Sequence, residues 1–471
     1  DGYKTAPFKS QNMALNSYVT LDGKEIGRAQ GVQAEAAGIV ATVDMNPILI
    51  KPSRDAESQI VVRGEPYANM KATAYRTDFY EQGLRIIRES YERLASSYER
   101  IVIEGAGSPA EVNLNDRELV NMRVARLANA PVILVADIER GGVFASLVGT
   151  LQLLLPEDRE RVIGVVINRF RGDLGLLQPG LDWFEQYTGK PVLGVVPYLP
   201  DLWIDAEDSL ILQRCQVQPE LEKELEVAVI RYPRISNFTD ADPLRVEPDC
   251  RVRFVGRAEE LGTPDLIVLP GSKNTLEDLQ FLRQSGLAAR IEALHRAGTS
   301  WLVGICGGYQ MLGEAIFDPH GVESPLRASK GLGLIPMETT LEQKKTTVQS
   351  RGTAHFAGQV LELEGYEIHM GRSVGTGSPF LHMEGRIDGY CDEAGRLIGT
   401  YFHGIFHNDA FRRLLLNQLR KQKGLPPIAD RPSFVAMREQ GYELLADTVR
   451  HHVRLDEIEK QMKRFQAKEV R

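Results

Sequence analysis

The residues best placed to do chemistry lie in 301–313, WLVGICGGYQMLG. An apolar run, Trp301, Leu302, Val303 and Ile305, reads as a buried strand that stops on Cys306, and Gly307 and Gly308 lead into a segment able to start a helix. A thiol on a tight strand-to-helix turn stands clear of its own backbone, and free N–H groups at a helix start favour nearby negative charge. Both effects favour the thiolate, which is the nucleophilic form. A lone cysteine is more often a packed structural residue. The glycines that follow it, and Gln310 at the fourth position after it, tip the balance toward catalysis.

Other candidates end other apolar runs. Residues 101–103 lead into Glu104-Gly105-Ala106-Gly107-Ser108, a carboxylate followed by small residues, as in folds that hold Mg²⁺ beside phosphates; alone the signal is weak. Asn168, after 162–167, could pair with an adenine edge or simply cap a turn. Residues 9–16, KSQNMALN, are too polar for a core strand and could grip a polar substrate or phosphate. A phosphate-cradling G-x-x-x-x-G-K-S/T loop does not occur in the sequence. In this kind of sheet it would precede the helix leading to Tyr3, so the expectation is an N-terminal truncation and poor ATP turnover by this polypeptide.

The elements that must position these groups form two blocks. Strand-like runs at 3–8, 101–103, 132–136, 162–167 and 192–196 alternate with helical patterns, which indicates a parallel, doubly wound α/β sheet. Such sheets bind ligands beyond the carboxyl ends of their strands. Leu84, Ile87, Tyr91, Leu94 and Tyr98 make one apolar helical stripe, read as packing. Residues 209–224 read as a linker, strands resume at 225–230 and 266–269, and 442–471 read as one amphipathic packing helix carrying Leu445, Val449, Val453, Ile458 and Met462.

With 471 residues there is room for two or three cores, and a net charge of −8 without a basic stripe argues against nucleic-acid or anionic-membrane partners. No apolar run approaches the roughly 20 residues that span a bilayer. Cys215, Cys250, Cys306 and Cys391 lack metal-ligand spacing, which fits a reduced, cytoplasmic setting.

The C-x-G-x-Q pattern at Cys306 resembles the nucleophile elbow of class I glutamine amidotransferases. The resemblance implies that Cys306 attacks the side-chain amide of L-glutamine, with His403 of LIGTYFHGIFH as base. It also implies an oxyanion hole from Gly307 and from Gly271 and Ser272 of LPGSKNT, with Gln310 on the glutamine side. The glutamate usual two residues after the histidine is Ile405 here, leaving either a Cys–His dyad or another acid, with Glu367 and Asp409 as candidates.

A second resemblance spans the whole chain. PFKSQNMALNS, DGKEIGRAQ, VDMNPILIKP, VIEGAGSPAEVNL, LVADIERGGVFASLVGT, INRFRGD, LLQPGL and GYEIHMGRS, in that order, resemble the cobyric acid synthases among the dethiobiotin synthetase-like amidoligases. QNMALN replaces the G-P-D-Y-I-D-like string of the sister a,c-diamide synthases. The resemblance implies two doubly wound units: a P-loop-type ATP-dependent amidoligase domain at 1–208 and a class I glutamine amidotransferase-like domain at 225–425, with a helical extension at 426–471. It implies ATP, Mg²⁺ and glutamine as reactants, and amidation of the b, d, e and g carboxylates of adenosylcobyrinic acid a,c-diamide. Glu104 would hold Mg²⁺, Asn168 would face adenine, Lys9 and Lys51 would contact phosphate or carboxylate, and Asn12, Asn16, Gln30 and Asp44 would line the substrate side. Competing expectations are an amidoligase of this architecture acting on another carboxylate, such as a cell-wall lipid intermediate, or a non-catalytic binding module.

Overall fold

The computed structural model describes residues 2–54, 56–200, 202–205, 207 and 223–469. Most of the expected 209–224 linker, and Cys215 with it, lies outside the described residues.

The C-terminal half is built on a six-stranded sheet in the order Cys250–Val255, Leu225–Ile230, Leu266–Leu269, Trp301–Ile305, Leu397–Thr400, Tyr390–Cys391. The first five strands run parallel and the last is antiparallel. The central strands Leu266–Leu269 and Trp301–Ile305 are almost wholly apolar because helices such as Thr275–Gln284 and Leu287–Arg296 help to bury them. In the register, Leu269 lies opposite Gly304 and Ile305 opposite Thr400, so three carboxyl ends finish side by side.

A long antiparallel hairpin, Met337–Phe356 with Gln359–Gly375, packs beside this sheet. Its two-residue turn, Ala357-Gly358, has positive φ at both positions (49° and 76°), the backbone twist that tight hairpins favour.

The parallel strands of the N-terminal half alternate with helices as expected, but among the described residues they form two ladders rather than one continuous sheet. Thr5–Phe8 pairs with Arg100–Ile103, and Val132–Asp137, Val162–Phe170 and Val192–Pro197 form a separate three-stranded ladder. Val102 and Val135, one on each ladder, are 65% and 64% exposed, so neither ladder packs over both faces. A four-stranded sheet, Gln11–Met13, Ile48–Arg54, Glu57–Val62 and Glu65–Lys71, shares a core with the Thr5–Phe8 ladder. The helix Tyr80–Ser97 buries Ile87 and Leu94 of the expected stripe against the Phe8, Ile48 and Ile60 core.

Residues 9–16, read as too polar for a core strand, include a short strand, Gln11–Met13, that pairs with Ile48–Arg54; Met13 is exposed, while Lys9, Ser10, Asn12 and Asn16 are buried. Lys9 pairs with Glu104 and Glu207, the Ser10 hydroxyl donates to the Leu119 carbonyl, and the Asn12 amide donates to Gln30. The single C-terminal helix is likewise corrected to two, Phe434–His452 and Leu455–Glu469. Val453 leaves helical geometry to bridge Gly194, and the Arg454 amide donates to the Leu193 carbonyl at 2.8 Å, so pairing with a strand edge interrupts the helix. Among the described residues, no helix is long and apolar enough to cross a membrane.

Candidate active site

Cys306 sits between Trp301–Ile305 and the short helix Gly307–Leu312 with φ 53° and ψ −109°. A side-chain-bearing residue at positive φ is strained, and the surrounding contacts hold it there. Its amide donates to the Thr400 carbonyl at 2.8 Å, which ties the elbow to the neighbouring strand. Gly308 follows because the turn presses on the adjacent strand: a Cβ there would lie 1.9 Å from the Leu269 carbonyl oxygen. A Cβ on Gly307 would lie 2.8 Å from the Ser272 nitrogen, so the Gly307 and Ser272 backbones meet beside the thiol. The Ser272 hydroxyl donates to Asp278 at 2.5 Å, and Asp278 also accepts from the Arg234 amide at 3.2 Å, which anchors the Gly271–Ser272 segment.

His403 is fully buried three residues beyond Thr400. Its Nδ1 lies 2.7 Å from the Asp240 carboxylate, whose other oxygen accepts from the Gly404 amide at 3.0 Å. The opposite nitrogen, Nε2, makes no conventional hydrogen bond among the described residues and interacts with the Cys306 sulfur. Burial alone would discharge this ring; Asp240, with a further contribution from Cys306, outweighs it and raises the pKa to about 10. The imidazole therefore holds its proton at neutral pH.

Neither acid expected as the third group touches His403. Glu367 is held by Arg386, Ser350 and His369, and Asp409 by Arg412 at 2.7 Å. Ile405 is buried in the C-terminal core. Sequence reasoning missed Asp240 because it stands 163 positions from His403, in a short 3₁₀ turn, Phe238–Ala241, that no motif marks.

Around the thiol, the Sγ donates weakly to the Ile368 carbonyl at 3.6 Å. Gln310 donates to the Tyr401 hydroxyl at 3.3 Å, while its buried Oε1 has no partner among the described residues. His369 stacks on Tyr401 with centroids 3.8 Å apart. Gly371 makes room for this arrangement, since a Cβ there would lie 2.2 Å from Gln310 Nε2. Gln310, Tyr401 and Gly371 thus form a polar wall next to Cys306.

In the N-terminal half, Glu104 follows Arg100–Ile103 and meets Lys9 at 3.0 Å, Gln33 at 2.8 Å and Gln30 at 3.4 Å. Gln30 in turn accepts from Asn12 at 3.0 Å, so Lys9, Asn12, Gln30 and Glu104 form one cluster. Asn16 lies alongside, its amide 3.4 Å from the Glu207 carbonyl, and Lys9 also reaches the Glu207 carboxylate at 2.7 Å. The Glu104 side chain is 36% exposed, which leaves lone pairs free for a cation. Among the described residues no group of three metal-type ligands gathers, so Mg²⁺ here would have one firm protein ligand, with phosphates and water supplying the rest; that fits its ordinary coordination.

Three expected residues stand apart from that cluster. Asp44 is taken up by a two-pronged ion pair with Arg93 (2.6 and 2.9 Å). Asn168 accepts from its neighbour's amide, Arg169, at 2.8 Å, at the end of the three-stranded ladder. Lys51 is buried between Ser17 (2.7 Å) and Glu25 (2.6 Å), and Glu25 also pairs with Lys345 of the long hairpin. This last group joins the two halves of the chain.

A CobB/CobQ-like glutamine amidotransferase domain matches residues 226–411, and an AAA domain matches residues 57–204. The chain is 64% identical to the cobyric acid synthase of Geobacillus sp. (strain WCH70), across 100% of this chain and 94% of that protein. It is 63% identical to the cobyric acid synthase of Geobacillus thermodenitrificans (strain NG80-2), across 99% and 94%. With that of Desulforamulus reducens (strain ATCC BAA-1160 / DSM 100696 / MI-1) the identity is 49%, across 98% and 93%.

Proposed function

The chain belongs to the cobyric acid synthase family, and on that premise we propose that it amidates the b, d, e and g carboxylates of adenosylcobyrinic acid a,c-diamide, using ATP and L-glutamine, in cobalamin biosynthesis. The amidoligase unit is 1–208, the glutaminase unit 225–425, and 426–471 is a helical extension; the setting is cytoplasmic.

The observation that carries the reading is a strained Cys306 facing a His403 that Asp240 keeps protonated. With the thiol's proton resting on His403, Cys306 Sγ attacks the glutamine amide carbon, and charge moves onto the carbonyl oxygen, toward the Gly307 and Ser272 backbones. His403 gives its proton to the departing nitrogen, so ammonia leaves and a glutamyl thioester remains. Water then hydrolyses the thioester to glutamate and frees the thiol. Gln310 holds the substrate side chain beside the sulfur.

A carboxylate cannot lose oxide to ammonia. Transfer of the γ-phosphoryl group of ATP to the carboxylate makes an acyl phosphate, and ammonia displaces phosphate from it. Glu104 would hold Mg²⁺, which neutralises phosphate charge during that transfer. Lys9 contacts the phosphates, Asn168 the adenine, and Asn12, Asn16 and Gln30 the corrinoid side chain. Ammonia loose in neutral water would protonate and cease to be a nucleophile, so the two sites communicate through a dry route.

Mass spectrometry of the corrinoid after incubation with ATP, Mg²⁺ and glutamine tests this reading. Stepwise conversion of four carboxylates to amides supports it. An unchanged corrinoid, with amidation of some other carboxylic acid, would place the chain's substrate elsewhere.

A further inference from the structure

Gln310 stands one helical turn beyond the nucleophile, and its backbone N–H donates to the Cys306 carbonyl at 3.1 Å. Its side chain is buried but only half satisfied. Nε2 donates to the Tyr401 hydroxyl at 3.3 Å, whereas Oε1 has no partner among the described residues. A buried oxygen without a donor is costly, so it marks a place where a ligand brings one. The two ends of a carboxamide are nearly alike in size, and hydrogen bonding decides which of them faces a given neighbour.

Tyr401 supplies that decision. Its hydroxyl also meets the Ser373 hydroxyl at 2.7 Å, and Ser373 meets the Thr339 hydroxyl at 2.7 Å. With its proton turned to Ser373, the phenol oxygen accepts from Gln310 Nε2 and leaves Oε1 free. Burial raises the Tyr401 pKa above its ordinary value, so the hydroxyl keeps the proton it needs for this double role.

The ring is held from several sides. His369 stacks on it with centroids 3.8 Å apart, and Tyr309 meets it edge-on at 5.3 Å. The Tyr401 amide donates to Asp388 at 3.1 Å, and Asp388 also accepts from the Thr400 hydroxyl. The Thr400 carbonyl in turn accepts from the Cys306 amide, so the phenol and the nucleophile hang from one strand end. Gly371 closes the remaining side: a Cβ there would lie 2.7 Å from the Tyr401 hydroxyl.

We propose that Tyr401 is a positioning residue for glutamine: its hydroxyl, backed by Ser373 and Thr339, holds the Gln310 carboxamide with Nε2 turned inward, so that Oε1 accepts an N–H of the bound substrate. Tyr401 itself forms and breaks no covalent bond. The proposal rests on the glutaminase reading of Cys306 and names the group that orients the side chain meeting its substrate.

Glutamate release is measured against glutamine concentration in Tyr401→Phe, Gln310→Ala and the double variant, with melting temperatures alongside. Tyr401→Phe keeps the ring between His369 and Tyr309 and removes only the hydroxyl. Its KM for glutamine should rise about 3- to 10-fold with little change in kcat, as loss of one binding hydrogen bond requires. In the Gln310→Ala background the same substitution should move KM by less than about twofold, because nothing is left to orient. An unchanged KM in Tyr401→Phe overturns the proposal, as does a full further rise in the Gln310→Ala background. A fall in kcat with KM unmoved also overturns it and marks Tyr401 as structural. Should Tyr401→Phe fail to fold, Ser373→Ala takes its place: it frees the phenol proton to turn toward Gln310, and the same outcomes decide. Cys306→Ala is run in parallel. If it still releases glutamate, the glutaminase reading fails; if it is dead while Tyr401→Phe keeps the wild-type KM, only the role of Tyr401 fails.

Discussion

The Ser17 amide donates to the side-chain oxygen of Asn237 at 2.8 Å, reaching from the N-terminal half into the turn that carries Asp240. Asn237 holds a left-handed conformation (φ 50°), which asparagine tolerates better than most residues. The acid that orients His403 is thus held on a turn that the other half of the chain touches directly. The Ser17 hydroxyl also donates to Glu25, so the residue that touches Asn237 joins the ion-paired group of Lys51 and Lys345.

Asp240→Asn should lower the glutaminase rate by roughly 100- to 10,000-fold, because an amide no longer stabilises the protonated ring or fixes its tautomer. Amidation from added ammonium should persist. The ring must supply a proton, so wild-type glutaminase activity should decline as pH rises through the His403 pKa of about 10. In the variant, burial acts without the Asp240 charge and the decline should come at lower pH. A pH–rate profile of glutamate release reads both effects.

Glu25→Gln should destabilise the chain by about 3–5 kcal/mol at neutral pH, since it strands two buried ammonium groups. Burial pushes the Glu25 carboxyl up, but Lys345 and Lys51 outweigh it and hold it below its ordinary value of 4.5. Its contribution is therefore present above pH 4.5 and is lost as pH falls below that value. Thermal unfolding curves should show wild type and variant far apart at neutral pH and converging in acid.

Glu104→Gln should cut amidation by about 100-fold or more with either nitrogen source, as expected for loss of a group that stabilises phosphoryl transfer. Glutamate release should continue. Equal loss of both activities would show that Glu104 supports the whole fold rather than the ATP half.

The sequence was most legible where chemistry and backbone coincide. Cys306 and its glycines announce the elbow because a strand end, a tight turn and a nucleophile are all local, and the three carboxyl ends at Leu269, Ile305 and Thr400 meet as parallel pairing requires. Long-range partners were not legible. Asp240 lies in an unmarked turn, and the nearer acids Glu367 and Asp409 are held by arginines that lie apart from them in sequence or a turn away on their own helix. The long hairpin was missed although Ala357-Gly358 marks its turn, because polar residues along both strands hide the alternation. The division of 442–471 into two helices depends on Val453 meeting Gly194, a tertiary contact no helical periodicity contains.

The central claim is that nitrogen freed at Cys306 is the nitrogen captured by the activated carboxylate. Amide-¹⁵N glutamine, supplied with ATP, Mg²⁺, corrinoid and an excess of unlabelled ammonium, tests it by mass spectrometry. The account predicts corrinoid amides that carry ¹⁵N despite the surrounding pool, and loss of that label in Cys306→Ala. Unlabelled amides from the intact protein, with ¹⁵N appearing only in free ammonium, would contradict it.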